Sequence, residues 1–506
     1  MVESGISVKL RSLIGDECSS SGGREVTLID PATGEASFLA ETATVADVGR
    51  AVTVARDAQP AWARTPAIAR GAVLWAAADV LEDRRDELVH RITGEMGKLL
   101  AESRAEVDEA AFYLRFMSGE GARLVGETRP SVDPRRLSIA ERVPAGIVAA
   151  ITPWNFPLCI PTWKIAAALV VGNAVVFKPA LQTAGTGLAL AEALLAAGLP
   201  AGVLNVLVGT GQVAGEALAR HPHVRVLTFT GSTAIGRRLG GLVGGRGART
   251  ALELGGKNVA VVLGDADLEQ AAERIAHGAF ATAGQRCTAT SRVIVDGDIH
   301  DELLGRLAER ADDLRVGPGI DPASDVGPLI SVESRRRVAG AVAAAVADGA
   351  RVVAGGYAPE ELPAQAGYYR PTVVTDLPAD HELVCDELFG PVTVVLRARD
   401  EDEALRLANA TEYGLAASVF TRELGRALRF SRALRAGVVF VNAATVEAET
   451  HLPFGGVGAS GNGSRDTGLA ALEAYTEWKT TYLAPAGPAS NPRCSPDLHP
   501  HPRREA

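Results

Sequence analysis

Three side chains could carry out chemistry together: the thiol of Cys287 in GQRCTAT, the carboxyl of Glu253 in LELGGKN and the amide of Asn155 in ITPWNFP. A lone cysteine is by default a small buried hydrophobe. Cys287, however, follows Gly284 and two polar residues, between a predicted helix and a strand predicted to begin near Ser291. Loops at such junctions often carry function, and an activated thiolate needs an electropositive or helix-N-terminal setting.

The flanks of the other two residues also bear on their chemistry. Glu253 lies between Leu252 and Leu254, so its carboxyl is expected to be partly desolvated. Desolvation raises the pKa of a carboxyl and suits it to act as a base near neutral pH; an exposed charge at a strand end is the plainer interpretation. Asn155 lies between two prolines, in a stiff non-helical segment. Its amide could donate to an oxyanion or only stabilise a turn.

A thiol, a carboxyl and an amide suit a reaction that passes through a thiohemiacetal. The thiolate attacks an aldehyde carbon, and the amide and the backbone N–H of Cys287 stabilise the resulting oxyanion. Loss of hydride to a cofactor gives a thioester, and the carboxylate activates the water that releases an acid. Separation along the sequence says nothing about proximity, so the three residues are compatible with this mechanism without proving it.

Seven short motifs occur in a fixed order along the chain: TPWNFP (152–157), FKPA (177–180), FTGSTAIG (229–236), ELGGKN (253–258), GQRCTA (284–289), ELFGPV (387–392) and PFGG (453–456). This set resembles that of the NAD(P)-dependent aldehyde dehydrogenase superfamily, over about residues 26–483. Each motif is moderately specific, and all seven in order are very specific. The resemblance implies that Cys287 is the nucleophile, Glu253 the base and Asn155 the oxyanion donor.

The same resemblance implies a site for NAD or NADP and no metal. Lys178 should contact the adenosine ribose and Ser232 the pyrophosphate, while Glu387 and Phe389 should hold the nicotinamide half. The glycine-containing segment 231–236 follows an apolar strand and opens a helix, so its backbone N–H groups could face a phosphate. The glycines at 209–215 form only a weak dinucleotide pattern. The predicted cofactor residues are Ile151, Thr152, Pro153, Trp154, Lys178, Gly211, Phe229, Gly231, Ser232, Gly236, Leu254, Glu387 and Phe389.

Two positions depart from the family pattern. NAD-preferring relatives usually carry a glutamate three residues after the lysine of FKPA, and here that position is Leu181. A carboxylate there would repel a 2′-phosphate, so we expect appreciable use of NADP. Asp466, in GSRDTG, stands where the family usually has a glutamate suggested for proton relay, and its assignment as a catalytic residue is correspondingly weaker.

The motifs point to more than one class of substrate. By resemblance, Phe156 and Trp163 should line a substrate tunnel, although Trp163 could equally be a core aromatic, and Arg286 could meet a substrate carboxylate; Arg292 is expected to be structural. IPTWKIAAAL, GQRCTATSR, THLPFGG and YTEWKT resemble the branch that oxidises 2-oxoglutarate semialdehyde, whereas PFGGVGASGNGSR also resembles the benzaldehyde and vanillin dehydrogenases. We expect a small semialdehyde (of 2-oxoglutarate or succinate), with an aromatic aldehyde as the alternative.

The same residues also bear on two other classes of protein. A CoA-acylating dehydrogenase typically lacks the base glutamate, so the presence of Glu253 argues against it. A non-catalytic protein on the same fold would tolerate loss of the thiol or the amide, and both are present.

Composition narrows the class of protein. The 506 residues carry a net charge of −10 and are 47% hydrophobic, an ordinary globular usage without a basic run suited to nucleic acid. The cysteines are five, widely spaced and without a CxxC pair, which favours neither a disulfide framework nor a zinc site. There is no signal-peptide pattern and no apolar run of the ~20 residues that span a bilayer. We expect a cytoplasmic enzyme with no membrane partner.

Apolar strands alternate with helices from about residue 146 onward, and a second such series begins near residue 291. This alternation predicts parallel sheets covered on both faces. The expected fold is α/β and aldehyde dehydrogenase-like, with two doubly wound domains and a small β oligomerisation element of a homodimer or homotetramer. We predict a cofactor domain (26–125 and 144–254), a catalytic domain (255–470), an oligomerisation element (126–143 and 471–483) and disordered tails (1–25 and 484–506).

Overall fold

The structure, a computed structural model, describes residues 9–19, 22–133 and 135–486. The elements up to residue 253 are β1 (Lys9–Leu10), β2 (Ser12–Ile14), β3 (Glu17–Ser19), β4 (Glu25–Ile29), β5 (Ala36–Glu41), α1 (Val45–Arg64), α2 (Ala67–Asp83), α3 (Arg85–Met96), α4 (Leu100–Glu120), β6 (Glu127–Arg129), β7 (Leu137–Pro144), β8 (Ile147–Ile151), α5 (Cys159–Val170), β9 (Ala174–Lys178), α6 (Ala184–Ala196), β10 (Leu204–Val206), α7 (Glu216–Arg220), β11 (Val224–Thr230), α8 (Thr233–Gly244) and β12 (Arg249–Glu253).

The remaining elements follow in the second half of the chain. They are β13 (Asn258–Val262), α9 (Leu268–Phe280), β14 (Thr290–Asp296), α10 (His300–Asp313), α11 (Val332–Ala347), β15 (Arg351–Ala354), β16 (Thr372–Thr375), α12 (Glu382–Cys385), β17 (Val392–Ala398), α13 (Glu401–Ala408), β18 (Ala416–Phe420), α14 (Leu424–Ala433), β19 (Val438–Val441), α15 (Ala471–Ala474) and β20 (Thr476–Leu483). No helix among the described residues is long and apolar enough to cross a bilayer.

The first large sheet has the order β12-β11-β8-β9-β10-β2-β3, and its strands from β12 to β10 are parallel. Every residue of β8 is buried, and alternate residues enter opposite cores: Val148 packs on one face, and Ala149 packs on the other. Because successive side chains of a strand point to opposite faces, helices must cover both. The carboxyl ends of β8, β9, β11 and β12 therefore form one polar edge, the usual ligand edge of such sheets.

The second large sheet has the order β15-β16-β17-β14-β13-β18-β19. All its neighbouring strands are parallel except β15 and β16. Its strands are again buried on both faces, since Ile294 packs in one core, and Val293 and Val295 pack in another. Here the amino ends of the strands matter most, because β13 starts at Asn258 and β14 starts three residues after Cys287.

The third sheet is a separate antiparallel one of order β20-β7-β6. β7 and β20 pair along their whole lengths, from Leu137 with Leu483 to Pro144 with Thr476. The extended segment and the C-terminal strand expected at 126–143 and 471–483 thus meet. The structure describes a single chain, so the assignment of this sheet to a homodimer or homotetramer, like the domain boundaries, stays a prediction.

The expectation of a disordered N-terminal segment 1–25 is wrong for residues 9–19. β2 pairs with β10 at the edge of the first sheet, and Leu13 and Ile14 are buried. The hydroxyl of Ser12 accepts a hydrogen bond from the N–H of Val208 at 3.1 Å. A strand of three residues shows too little periodicity to be predicted, and its stability comes from the sheet edge it joins. Residues 1–8 and 487–506 of the expected tails lie outside the described residues.

Three helices, α2, α3 and α4, follow one another closely between Ala67 and Glu120. α2 and α3 are separated at Arg84, and α3 ends at Gly97, which has φ = 89°. Only glycine readily takes this conformation, and a Cβ at Gly97 would come within 2.6 Å of the ring of Pro328. Close packing against another segment thus ends α3, and such a contact is invisible in helical periodicity.

Candidate active site

The polar edge of the first sheet faces the amino ends of the second sheet across a cavity of about 300 Å³. Asn155, on the loop after β8, and Cys287, on the loop before β14, both line it. Glu253, the last residue of β12, is buried, and its carboxyl acts on the pKa of the Cys287 thiol. The fold therefore brings together the thiol, the carboxyl and the amide that the sequence singled out.

The backbone around the thiol is held by two side chains that the sequence reasoning missed. Asn258 donates from Nδ2 to the carbonyl oxygens of Cys287 (2.7 Å) and Ala289 (2.9 Å). Gln285 is buried and accepts from the N–H of Ile330 at 2.8 Å through Oε1. Its own carbonyl accepts from Nδ2 of Asn155 at 2.9 Å. The thiol and the amide thus occupy fixed positions relative to each other.

The electrostatic setting of Cys287 differs from the electropositive one expected of a reactive thiol. Burial, followed by the nearby carboxyls of Glu387 and Glu253, raises the pKa of Cys287 to about 12, and the opposing effect of Arg286 is smaller. The thiol is therefore protonated at neutral pH in the ligand-free protein. A base must remove its proton before it can react.

Glu253 has the desolvated environment that its leucine flanks predicted. Burial, followed by the charge of Asp466, raises the pKa of Glu253 well above its usual range, and Lys164 opposes this shift. Oε2 accepts from the N–H of Gly456 at 3.2 Å. Oε1 is buried without a hydrogen-bond partner among the described residues. Such a buried, unpaired oxygen is uncommon, and it leaves an acceptor open for a water molecule or a thiol proton.

Asp466 lies behind Glu253, in a buried ion pair. Nζ of Lys164 is 2.6 Å from the Asp466 carboxylate and also donates to the hydroxyl of Thr228 at 3.0 Å. The hydroxyl of Thr230 donates to Asp466 at 3.3 Å. A role for Asp466 in proton relay stays a prediction, because its carboxylate is committed to Lys164. Lys164 stands in the IPTWKI segment, but nothing in the sequence marked it as a partner of Asp466.

A cleft of about 830 Å³ continues from the central cavity along the first sheet. Lys178 lines it, and burial lowers the pKa of Lys178 to about 8 while its Nζ donates to the carbonyl of Gly209 at 3.2 Å. Ser232 is the N-cap of α8 and makes no side-chain capping bond, so the helix N-terminus can receive an anion. The predicted cofactor residues that line this cleft are Ile151, Thr152, Pro153, Trp154, Lys178, Gly211, Phe229, Gly231 and Ser232.

The central cavity contains the other predicted cofactor residues, with one exception. Leu254, Glu387 and Phe389 line it, and Glu387 accepts from the N–H of Gly256 at 3.0 Å. Burial raises the pKa of Glu387 to about 7. Gly236 lines neither space; a Cβ there would come within 2.2 Å of Leu254, so this glycine lets α8 pack closely. The two spaces meet at Ser232, so the N-terminus of α8 opens into both of them.

On its other side, Cys287 lines a narrow pocket of about 80 Å³. Phe156, Trp163 and Arg286 line it as predicted, and the Trp163 and Phe454 rings lie 5.9 Å apart. Nε of Arg286 donates to the hydroxyl of Thr282 at 3.0 Å, so this arginine is already engaged.

The pocket also contains two carboxyls that the sequence reasoning missed, those of Glu109 and Glu449. Burial, followed by the charge of Glu106, raises the pKa of Glu109 to about 7. A glutamate on a long helix is usually solvated, and helical periodicity gave no signal that this one faces a pocket. Arg292, by contrast, is structural as expected, because it donates to backbone carbonyls including those of Lys257 and Leu407.

The model of the aldehyde dehydrogenase family matches residues 18–481. The chain belongs to the aldehyde dehydrogenase family. It is an NAD(P)-dependent oxidoreductase with the α/β fold expected from the sequence.

Individual relatives cover nearly the whole chain. The alpha-ketoglutaric semialdehyde dehydrogenase of Bacillus subtilis (strain 168) is 39% identical over 478 residues, covering 94% of this chain and 98% of that protein. The phenylacetaldehyde dehydrogenase of Pseudomonas fluorescens is 40% identical over 491 residues, with coverages of 95% and 97%. A crystal structure of Staphylococcus aureus betaine aldehyde dehydrogenase in complex with NAD⁺ superposes with a TM-score of 0.91 at 33% identity, covering 94% of each chain.

In this aldehyde dehydrogenase, Lys164→Met should lower the free energy of unfolding. It should also reduce the fraction of Glu253 that is deprotonated and able to act as a base. Removing one partner of a buried ion pair costs about 3–5 kcal/mol of unfolding free energy, measurable by urea unfolding. Because Lys164 lowers the pKa of Glu253, its loss should raise that pKa and move the acid limb of the kcat–pH profile to higher pH. Lys479→Met is the matched control, since Lys479 is 62% exposed. Equal effects of the two substitutions would contradict the role of Lys164 as the buried ion-pair partner that lowers the pKa of Glu253.

Proposed function

We propose that this enzyme oxidises an aldehyde to a carboxylic acid through a thiohemiacetal and a thioester on Cys287. The observation that carries the proposal is the position of Cys287, which lines both the cavity that continues into the cofactor cleft and the narrow aromatic pocket. A nucleophile at that junction can bond to a substrate carbon held in the pocket while it faces the other cavity. Holding the reacting groups next to each other lowers the entropic part of the activation barrier.

The first half of the reaction forms the carbon–sulfur bond. Glu253, once deprotonated, takes the proton of the Cys287 thiol, and the sulfur attacks the carbonyl carbon. The carbonyl oxygen becomes an oxyanion, which Nδ2 of Asn155 and the N–H of Cys287 stabilise. Nδ2 of Asn155 uses one hydrogen for the carbonyl of Gln285, which leaves its second hydrogen for the substrate. NAD or NADP, when bound, supplies the hydride acceptor.

The second half releases the acid by hydrolysis. Glu253 first releases the proton of the thiol to solvent, and its open Oε1 then accepts a proton from water, whose oxygen attacks the thioester carbon. The carbon–sulfur bond breaks, the sulfur recovers a proton, and the carboxylic acid leaves. Because Glu253 provides this base, CoA is not required as an acceptor, unlike in CoA-acylating enzymes.

Cys287→Ala should abolish aldehyde oxidation, because the described residues that line the pocket include no second thiol. Glu253→Gln should slow turnover at least 100-fold. The raised pKa of Glu253 makes the active base scarce at low pH, so wild-type activity should fall as pH decreases, and this acid limb should disappear in Glu253→Gln. Formation of NADH or NADPH with aldehyde, and of free acid without CoA, are the measurements. Full activity of Cys287→Ala would refute the mechanism.

The cofactor choice is proposed to include NADP. Leu181 and Gln182 line the cleft beside Lys178, and neither carries a charge that would repel a 2′-phosphate. Leu181→Glu should lower kcat/KM for NADP at least 10-fold while changing that for NAD less, since the added carboxylate would repel the phosphate. Leu181→Gln is the control of similar size. A wild-type preference for NAD above ~100-fold would contradict the proposal.

For the substrate, the chemistry of the pocket favours an uncharged aromatic aldehyde. Its walls include the rings of Phe156, Trp163 and Phe454, and its carboxyls are those of Glu109 and Glu449. The carboxylate of a small semialdehyde would meet these like charges. The relatives named above act on substrates of both kinds, so sequence identity does not separate them.

The small semialdehyde stays a second candidate because of Arg286. Its guanidinium lines the pocket and could bind a carboxylate. However, Nη2 lies 3.8 Å from Glu102, and the guanidinium lies over the Phe156 ring at 5.2 Å. Binding a substrate carboxylate would compete with these contacts.

A panel of benzaldehyde, phenylacetaldehyde, succinate semialdehyde and 2-oxoglutarate semialdehyde tests the substrate class. At pH 8 we expect higher kcat/KM for the aromatic pair. Glu109→Gln should raise kcat/KM for the semialdehydes about 10-fold, because a like charge a few ångströms away is removed. Glu109 has a pKa of about 7, so it is mostly neutral at pH 6, where the gain should shrink.

The matched control is Asp108→Asn, one residue away, because Asp108 pairs with Arg85 at 2.8 Å and is half-exposed. Faster turnover of either semialdehyde than of both aromatic aldehydes at pH 8 would refute the aromatic proposal and favour the semialdehyde.

A further inference from the structure

The backbone that leads into Cys287 has an unusual conformation. Thr282 (φ 55°, ψ 32°) and Ala283 (φ 54°, ψ 36°) are left-handed, and Gly284 follows with φ = 67°. Left-handed backbone is rare outside glycine, and for a β-branched residue such as threonine it is a genuine outlier. Strain of this kind persists only where surrounding contacts hold it. We call residues 282–284 the left-handed turn.

The left-handed turn determines where the nucleophile lies. α9 ends at Phe280, and the turn redirects the chain so that Gln285 is buried and Cys287 reaches the cavity. Gly284 cannot be replaced, because a Cβ there would come within 2.2 Å of the carbonyl oxygen of Gly390. If the turn relaxed to a right-handed conformation, Gln285 and Cys287 would move with it.

One carboxylate holds the strained threonine. Oε1 of Glu102 accepts from the N–H of Thr282 at 2.6 Å and from its hydroxyl at 3.0 Å. The same hydroxyl accepts from Nε of Arg286 at 3.0 Å. Oε2 of Glu102 accepts from the N–H of Leu99 at 3.1 Å, at the start of α4. Hydrogen bonds to a carboxylate are about twice as strong as neutral ones, so Glu102 is well suited to stabilise the turn.

Glu102 also joins two parts of the fold. Its helix, α4, packs against α2, α3 and α5 in the core of the first sheet, whereas the left-handed turn belongs to the loop before β14 of the second sheet. A second contact between the first sheet and this loop is the hydrogen bond from Asn155, which follows β8, to the carbonyl of Gln285. The position of the thiol relative to the oxyanion donor thus depends on bonds between the two sheets.

We propose that Glu102 is a positioning residue that holds the left-handed turn and thereby places Cys287 for attack. It touches neither the substrate nor the sulfur and acts through Thr282. The proposal rests on Cys287 being the nucleophile. It also implies that the need for Glu102 comes from the threonine, since glycine at 282 would adopt the turn without strain.

A set of four variants tests this: Glu102→Ala, Glu102→Gln, Thr282→Gly and the double variant Glu102→Ala/Thr282→Gly. Glu102→Ala should lower kcat at least 10-fold and change the KM for the aldehyde less than 2-fold. Glu102→Gln keeps an acceptor and should lose less. The double variant should recover most of the lost kcat. Arg104→Ala is the control on α4, because Arg104 is half-exposed and pairs only with Asp86 among its described contacts.

Hydrogen–deuterium exchange of the cofactor-free protein gives a readout that does not depend on turnover. Exchange at residues 281–288 should be faster in Glu102→Ala than in wild type and control, with Tm changed little. Unchanged exchange and kcat in Glu102→Ala would overturn the proposal. So would a fall in Tm with no recovery of kcat in the double variant, which indicates a merely structural role. If wild type itself oxidised no aldehyde, the proposed function would fail. The exchange result would still decide whether Glu102 holds the left-handed turn.

Discussion

The site depends on keeping several acidic groups out of water around one thiol. Glu253 is buried, Glu387 and Cys287 are half-buried near it, and desolvation raises the pKa of each. Ionising any one of them is costly, because a low-dielectric surrounding penalises charge and each new charge repels the next. Each group therefore keeps its proton to a higher pH than it would in water. A proton can then pass between the thiol, a carboxyl and a water molecule.

These groups are brought together between the two large sheets, and each sheet contributes a different edge to the site. The first supplies carboxyl ends, which carry Asn155, Lys178 and Glu253, and the second supplies the loops before its strands, which carry Cys287. Loops between two edges have unpaired backbone groups, and buried ones must find partners. The side-chain amides of Asn258 and Asn155 supply them for the nucleophile loop. The hydrogen bonds that pair the backbone groups of this loop therefore also hold the reacting groups in place.

The sequence predicted the α/β class and the candidate reacting residues better than it predicted the contacts between them. Buried strands such as β8 are apolar throughout, and the motifs singled out Cys287, Glu253 and Asn155, which the structure brings to one site. Lys164, Glu102 and Glu109 escaped notice, because their roles depend on contacts made by elements distant in sequence. The expected electropositive surroundings of Cys287 were wrong for the same reason: Arg286 is adjacent in sequence, but Glu387, 100 residues later, has the larger effect on its pKa.

The same field has consequences for what the cavities accept. Carboxyls near the thiol favour a positively charged or neutral guest over an anionic one. Binding and proton affinity are linked reciprocally, so a positive charge bound beside Cys287 would lower the pKa of the thiol and of Glu253 together. Activation of the nucleophile can then be a property of the occupied site, even though the ligand-free site holds the thiol protonated. On the substrate side, Glu109 extends the acidic field beyond the thiol, while Arg286 is held by Thr282. The proposed selectivity for uncharged aldehydes and the control of the thiol would therefore have one physical origin.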